Sequence, residues 1–183
     1  MMPIGLEHHV GDTVSDRMDA YNTVDATIIR RFQDAGALVF LHHTEEWSEQ
    51  DVLGLPIDGI EIYNLHYNMM DNMARVIELA ILLATDPESL PVPDLGLLPV
   101  FAENEVDLAH WSRAVLQRRM VGVVATDGHQ NVVDEIMSDG DRLDSFRRMM
   151  RWFSNYVLVP PGAVDDAVLK AAIGEGRLYG AFD

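Results

Sequence analysis

VGVVATDGHQN, residues 121–131, joins a β-branched apolar run to a polar turn. Val121, Val123 and Val124 make the run a buried strand. In α/β proteins the residues just past a strand's carboxyl end line the active site. Asp127 and His129 stand two apart with Gly128 between them, which can turn a carboxylate oxygen and an imidazole nitrogen toward one point. That donor pair suits a divalent ion of the zinc, manganese or iron type. Asp-Gly is also a common turn, so the same residues equally describe a surface turn with a solvated histidine.

Two more strand ends supply context. Residues 37–43 (ALVFLHH) are a buried strand ending in His42 and His43, followed by Thr44-Glu45-Glu46-Trp47. Residues 59–64 (GIEIYN) are another, with Glu61 between Ile60 and Ile62. Between the strands lie helical stripes. Ile28, Ile29, Phe32 and Ala35 share one face, with Thr23 as N-cap and Gly36 as the stop. Met69, Met73, Val76, Ile77, Ala80 and Ala84 form a second stripe, in which the methionines are core packing. Leu108, Trp111, Val115 and Leu116 form a third, then Phe146, Met149, Met150 and Phe153 a fourth, and residues 164–173 close the set before a last strand at 177–182. Strands alternating with helices predict a mostly parallel α/β architecture, Rossmann-like sheet or barrel.

Composition narrows the chemistry. A chain of 183 residues is expected to be one domain, residues 1–183, large enough for a real core. It has no cysteine, so a metal would be held by His, Asp and Glu alone. The formal charge of −17 repels nucleic acid and anionic membranes, so neither is an expected partner. The most apolar window, residues 69–85, contains Asp71, Arg75 and Glu78 and is too short to span a bilayer. MMPIGLEHH is not a signal peptide, so a cytoplasmic location is expected unless a signal has been lost with a missing part. Asp139-Gly140-Asp141 with Asp144 fails the calcium-loop spacing and is expected to be a helix-capping turn.

In the order apolar strand ending in His, DGIEIYN, then ATDGHQN, the chain resembles the PHP family (polymerase and histidinol phosphatase domains). The tail AVLKAAIGEGRLYGAFD is similar to the helix, Gly-Arg-aromatic segment and final strand of many members. The resemblance spans residues 35–183 and implies a distorted (βα)7 barrel with one to three Mn²⁺, Zn²⁺ or Fe²⁺ ions. The implied activity is that of a metal-dependent hydrolase of a small-molecule substrate, chiefly a phosphoesterase, whose nucleophile is a metal-bound hydroxide.

By that resemblance Asp127 and His129 match the family's Asp-x-His, where both side chains bind metal. His43 takes the ligand position of the family's His-Pro, with Thr44 in place of the proline. Strand alternation turns His42 away from His43, so His43 is preferred and His42 kept as the alternative. Glu7, in Gly5-Leu6-Glu7, resembles the family's Gly-x-Glu, whose glutamate can bridge two metals. His8 and His9 beside it are extra ligands or an exposed polar pair. Glu61 recurs in the family motif and is expected to partner a ligand or an arginine, because an unpaired buried carboxylate is costly. Asn64 is expected to close that strand end by hydrogen bonding. His66 and His110 sit on helical segments and are expected to be ordinary surface or core residues.

The resemblance fails at the amino end. Members begin with His-x-His and carry another His before His-Pro, whereas His8-His9 and His42-His43 are adjacent pairs and no His lies between His9 and His42. Either the barrel is incomplete at the N-terminus, exposing an edge strand that a homo-oligomer would cover, or the chain is a diverged member with a reduced site. The alternative to an enzyme is therefore a catalytically silent PHP-like module that binds metal or serves as an interaction domain. An amidohydrolase-type metal hydrolase, which shares strand-end His and Asp ligands, is a third reading.

Overall fold

The computed structural model describes residues 1–126 and 137–182. They form a mixed α/β protein with a four-stranded sheet in the order β1-β2-β3-β4 and a two-stranded sheet β5-β6. The strands are β1 (Met2–Ile4), β2 (Leu38–Leu41), β3 (Gly59–Asn64), β4 (Val121–Ala125), β5 (Phe153–Val157) and β6 (Leu178–Phe182). Among the described residues no barrel closes. The expected mostly parallel sheet is modified at its edge. β2 and β3 are parallel, with Leu41 opposite Ile60, but β1 runs antiparallel to β2, with Met2 opposite Phe40.

The chain divides into two compact units, Met1–Ile62 with Glu105–Val123 and Tyr156–Tyr179, and Tyr63–Asn104 with Val124–Asn155 and Gly180–Asp183. In the first unit α1 (Val14–Asn22) and α2 (Ala26–Asp34) precede β2. α2 buries Ile29 and Phe32 completely, against Val39 and Leu41 of β2 and Ile60 of β3. Its N-cap is Asp25 rather than the expected Thr23. The Asp25 carboxylate accepts from the Thr27 and Ile28 amides, both at 2.8 Å, satisfying two free helix donors with one charged oxygen. α1 has no apolar stripe to betray it. A reciprocal capping box does the work of starting it, Asp16 N–H to Thr13 Oγ1 and Thr13 N–H to Asp16 Oδ2, both 3.1 Å.

Asp58 registers β3 beside β2: its Oδ2 accepts from the Val39 amide at 2.8 Å and its own N–H donates to Val39 O at 2.9 Å. Gly59 follows because a Cβ there would lie 2.3 Å from the Phe40 ring and 2.6 Å from Val121 O. α3 (Glu49–Gly54) and α6 (Glu105–Val115) complete this core with Val52 and Ala114. An ion pair joins Arg113 to Glu49, and Arg118 donates to the carbonyls of Val52 and Leu55. α8 (Asp166–Gly174) starts at an Asp165 cap, and the rings of Tyr156 and Tyr179 stack at 5.3 Å.

The second unit is built on aromatic rings. Tyr63 meets Phe101, Phe153 and Phe182 edge-on or tilted at 4.8–6.3 Å. Its hydroxyl donates to Asn68 Oδ1 at 3.2 Å and accepts from Trp152 Nε1 at 3.4 Å. The methionine-rich stripe expected to be one helix is two, α4 (Leu65–Asp71) and α5 (Met73–Thr85), broken at Asn72. There the Asn72 side chain donates to Asn68 O at 2.9 Å, competing with the helical ladder. α7 (Phe146–Trp152) begins at Ser145, whose Oγ accepts from the Arg148 amide at 3.1 Å. Arg148 is fully buried and bonds Asp94 at 3.0 Å and both oxygens of Asp139 at 2.9 Å. The Asp139–Asp144 stretch is thus a capping turn organised around arginines.

Candidate metal centre

β2 ends at Leu41, and the chain continues through His42 and His43 into a tight 3-10 turn, Thr44–Glu46. His43 takes φ 51° and ψ 52°, the left-handed region. It is the one described residue other than glycine with positive φ. A side chain there costs about 1–3 kcal/mol and persists only where the surroundings over-determine it. The surroundings are visible. The His43 amide donates to Glu61 Oε2 at 2.9 Å, and His43 O accepts from the Glu46 amide at 3.0 Å. Trp47 N–H closes the turn on Thr44 O at 3.2 Å.

The imidazole is oriented as well. His43 Nδ1 lies 3.1 Å from Glu45 Oε1. An ionised carboxylate can only accept, so Nδ1 carries the proton of that bond. A carboxylate on one ring nitrogen that fixes the tautomer of the other recurs behind metal-binding histidines. One ring nitrogen of His43 and one carboxylate oxygen from each of Glu45 and Glu46 lie within 4.8 Å of one another. Among the described residues this is the one group of three such side chains placed to hold an ion. The Glu45 side chain is only 10% exposed, and its Oε2 is buried with no hydrogen-bond partner among the described residues. The hydroxyl of Thr44, itself fully buried, is in the same condition.

His43 and Glu61 meet through the His43 amide, the first just past the end of β2 and the second within the neighbouring β3. His42 does not turn away from His43. Their rings sit edge-to-face at 5.1 Å, because the strand has ended at Leu41 and period-two alternation no longer governs side-chain direction. Glu7 is not brought to His43. Its amide donates to Ala35 O, its carboxylate is 3.4 Å from Lys170 Nζ and its side chain is 72% exposed, at the opposite end of β2. The strand's four residues, at about 3.3 Å each, stand between them. His9 is exposed, with Nδ1 3.4 Å from the Tyr21 hydroxyl. Asp127 and His129 lie outside the described residues.

In the second unit Asn64 caps α4, its Oδ1 accepting from the Tyr67 amide at 3.2 Å, and His66 lies on that helix. His110 lies on α6, as its periodicity predicts, with its Nδ1 buried and unbonded among the described residues. Glu45 and Glu46 are the site residues that sequence reasoning passed over. The available signal was two carboxylates two and three positions after a strand-end histidine, which an ordinary solvated turn would also show.

No described helix is long and apolar enough to cross a membrane. No protein-family model, curated protein or solved structure was found to match the chain.

Proposed function

We propose that this chain is a metal-dependent hydrolase acting on a small phosphate ester. The observation that carries the reading is His43: a strained strand-end histidine whose amide is held by Glu61 and whose Nδ1 is held by Glu45. A left-handed strand-end conformation held at the amide by Glu61, with the ring held at Nδ1 by Glu45, fits a metal ligand. Asp127 and His129 enter the ligand set from their sequence motif, and Glu7, at the other end of β2, is left out. The open four-stranded sheet is read as a partial PHP-type barrel, which the resemblance of residues 35–183 supports.

A bound divalent ion would supply Lewis-acid charge for the phosphoryl oxygens and make water acidic enough to attack near neutral pH. The residues of this chain do the rest. His43 would supply a ring nitrogen, Glu45 holds the ring at Nδ1, and Glu61 holds the backbone turn that carries it.

The test is hydrolysis of an aryl phosphate with added Mn²⁺ by wild type, His43→Ala and Asp127→Ala. Turnover abolished in both variants supports the reading. A folded wild type without turnover across a phosphoester panel favours the second reading, a silent metal-binding or interaction module. The missing His-x-His is the feature on its side.

A further inference from the structure

We propose that this chain forms a two-fold dimer in which the outward face of α5 packs antiparallel against the same face of a second copy. The inference is independent of the metal-dependent reading, because α5 lies wholly in the second unit.

α5 is apolar almost all round: of Met73–Thr85 only Arg75, Glu78 and Thr85 carry polar side chains. A helix of that composition is ordinarily covered on every side. Here one side is covered. Val76, Leu79 and Leu83, at helical spacing, are buried. Met73, Ile77 and Ile81, four apart, make a second row about a third of a turn round the helix. They are 38–60% exposed, and so are Met70, three positions before Met73, and Leu82. Met73, expected in the core, therefore faces solvent.

Area and charge both favour a second copy as the occupant. These five side chains leave on the order of 400 Å² of apolar surface in water, with exposed Ala74 and Ala84 beside them. A standard interface takes about 800 Å² from each partner, and in homodimers about 500 Å² of that is apolar. The α5 face supplies most of it. A two-fold contact also needs a patch complementary to itself, which an uncharged helical row provides. At −17, two copies repel wherever charged surfaces meet.

The two charges of α5 fit the same arrangement. Arg75 and Glu78 are exposed and lie three apart, both on the side of the row away from the buried one. Antiparallel pairing about an axis between Val76 and Ile77 sets Arg75 of each copy beside Glu78 of the other. Pairing through β1, at the edge of the four-stranded sheet, is disfavoured: it is three residues long, and Pro3 has no amide to give.

The experiment is sedimentation equilibrium of the full chain across the micromolar range, with thermal melts alongside. Wild type should be dimeric. Ile77→Glu brings two carboxylates together at the seam and should weaken the dimer more than about 100-fold. Leu116→Glu, at an exposed apolar residue outside the face, should leave it unchanged. Arg75→Glu should weaken the dimer about threefold or more, and Arg75→Glu/Glu78→Arg should restore it. Should Ile77→Glu fail to fold, Ile81→Glu, at the most exposed position of the row, carries the test. Monomeric wild type overturns the proposal, as does a dimer that Ile77→Glu leaves intact or that Leu116→Glu dissociates equally. A monomer that Ile77→Glu destabilises would show the face covered from within the chain. A monomer that floats with phosphatidylcholine vesicles would show a lipid surface in its place, and either result overturns the dimer. Failure of the charge exchange to restore association overturns the antiparallel arrangement.

Discussion

The amide of His43 donates to the buried carboxylate of Glu61 at 2.9 Å, across 18 residues of sequence. That bond ties the end of β2 to the middle of β3 and holds the chain where it turns left-handed. Glu61→Ala leaves a backbone donor unsatisfied and should destabilise by about 1–3 kcal/mol. Glu61→Gln, which retains an acceptor, should cost less. Urea denaturation of both variants orders them, and equal loss in the two would show that the charge rather than the acceptor matters.

The conformation of His43 separates backbone from side-chain effects. Asparagine tolerates φ near 51°, whereas a β-branched residue does not. His43→Asn should fold with stability close to wild type and lose Mn²⁺ binding. His43→Val should lose both, with a stability cost of about 1–3 kcal/mol. Thermal melts alongside Mn²⁺ titration decide it, and a stable His43→Val would mean the turn relaxes freely.

Gly59 sits where β3 passes Phe40 and Val121. A methyl there meets an aromatic ring at 2.3 Å and a backbone oxygen at 2.6 Å, and the oxygen cannot rotate aside. Gly59→Ala should therefore cost about 1–3 kcal/mol or more through overpacking. A melting temperature within a degree of wild type would show that β3 shifts without penalty.

Arg148 is fully buried, donating to Asp94 and Asp139 and, through Nε, to Arg142 O at 3.1 Å. Burial tends to raise the Asp139 carboxyl. Hydrogen bonds from Arg148 and the Asp141 amide, with the charges of Arg148 and Arg147, outweigh it and hold the group below its usual 3.8. Asp141 is lowered likewise, burial being outweighed by Ser145, Arg147 and the Arg142 amide. A carboxylate depressed in the folded state adds stability that is complete above its unfolded value and is lost as pH falls through the folded one. Stability should thus decline below about pH 4, and Arg148→Met should flatten that decline. Near neutral pH the same variant should lose stability toward the low end of about 3–5 kcal/mol, since the aspartates are partly solvated. Arg148→Lys should not rescue it, because a single ammonium cannot fork to three acceptors.

Burial pushes the Tyr63 phenol up to about 12, against a smaller opposing effect of the Trp152 hydrogen bond. A group raised in the folded state stabilises below its unfolded value, 10.0, and loses that contribution as pH rises through the folded one. Stability should therefore fall as pH climbs above about 10, and less so in Tyr63→Phe. Ultraviolet titration of phenolate checks the assignment: the native protein should show an ionisation near pH 12 that Tyr63→Phe removes.

The sequence by itself determined β2, β3 and β4 and the helices α2, α6 and α7, because apolar periodicity is a local property that burial then rewards. It also located a strand-end histidine and a buried glutamate. It did not contain β1, three residues including Pro3 that become a strand only by pairing with β2. The break at Asn72 was likewise invisible, since a side chain there diverts a carbonyl within an unbroken apolar stripe. Glu7 and His43 looked equally eligible in one dimension. The antiparallel register of β1 put them at opposite ends of the same strand. The tertiary structure alone decided that Glu45, Glu46 and Glu61 surround His43. Side-chain direction beyond Leu41 follows from a left-handed turn and a hydrogen bond arriving from another strand, and neither leaves a period in the sequence.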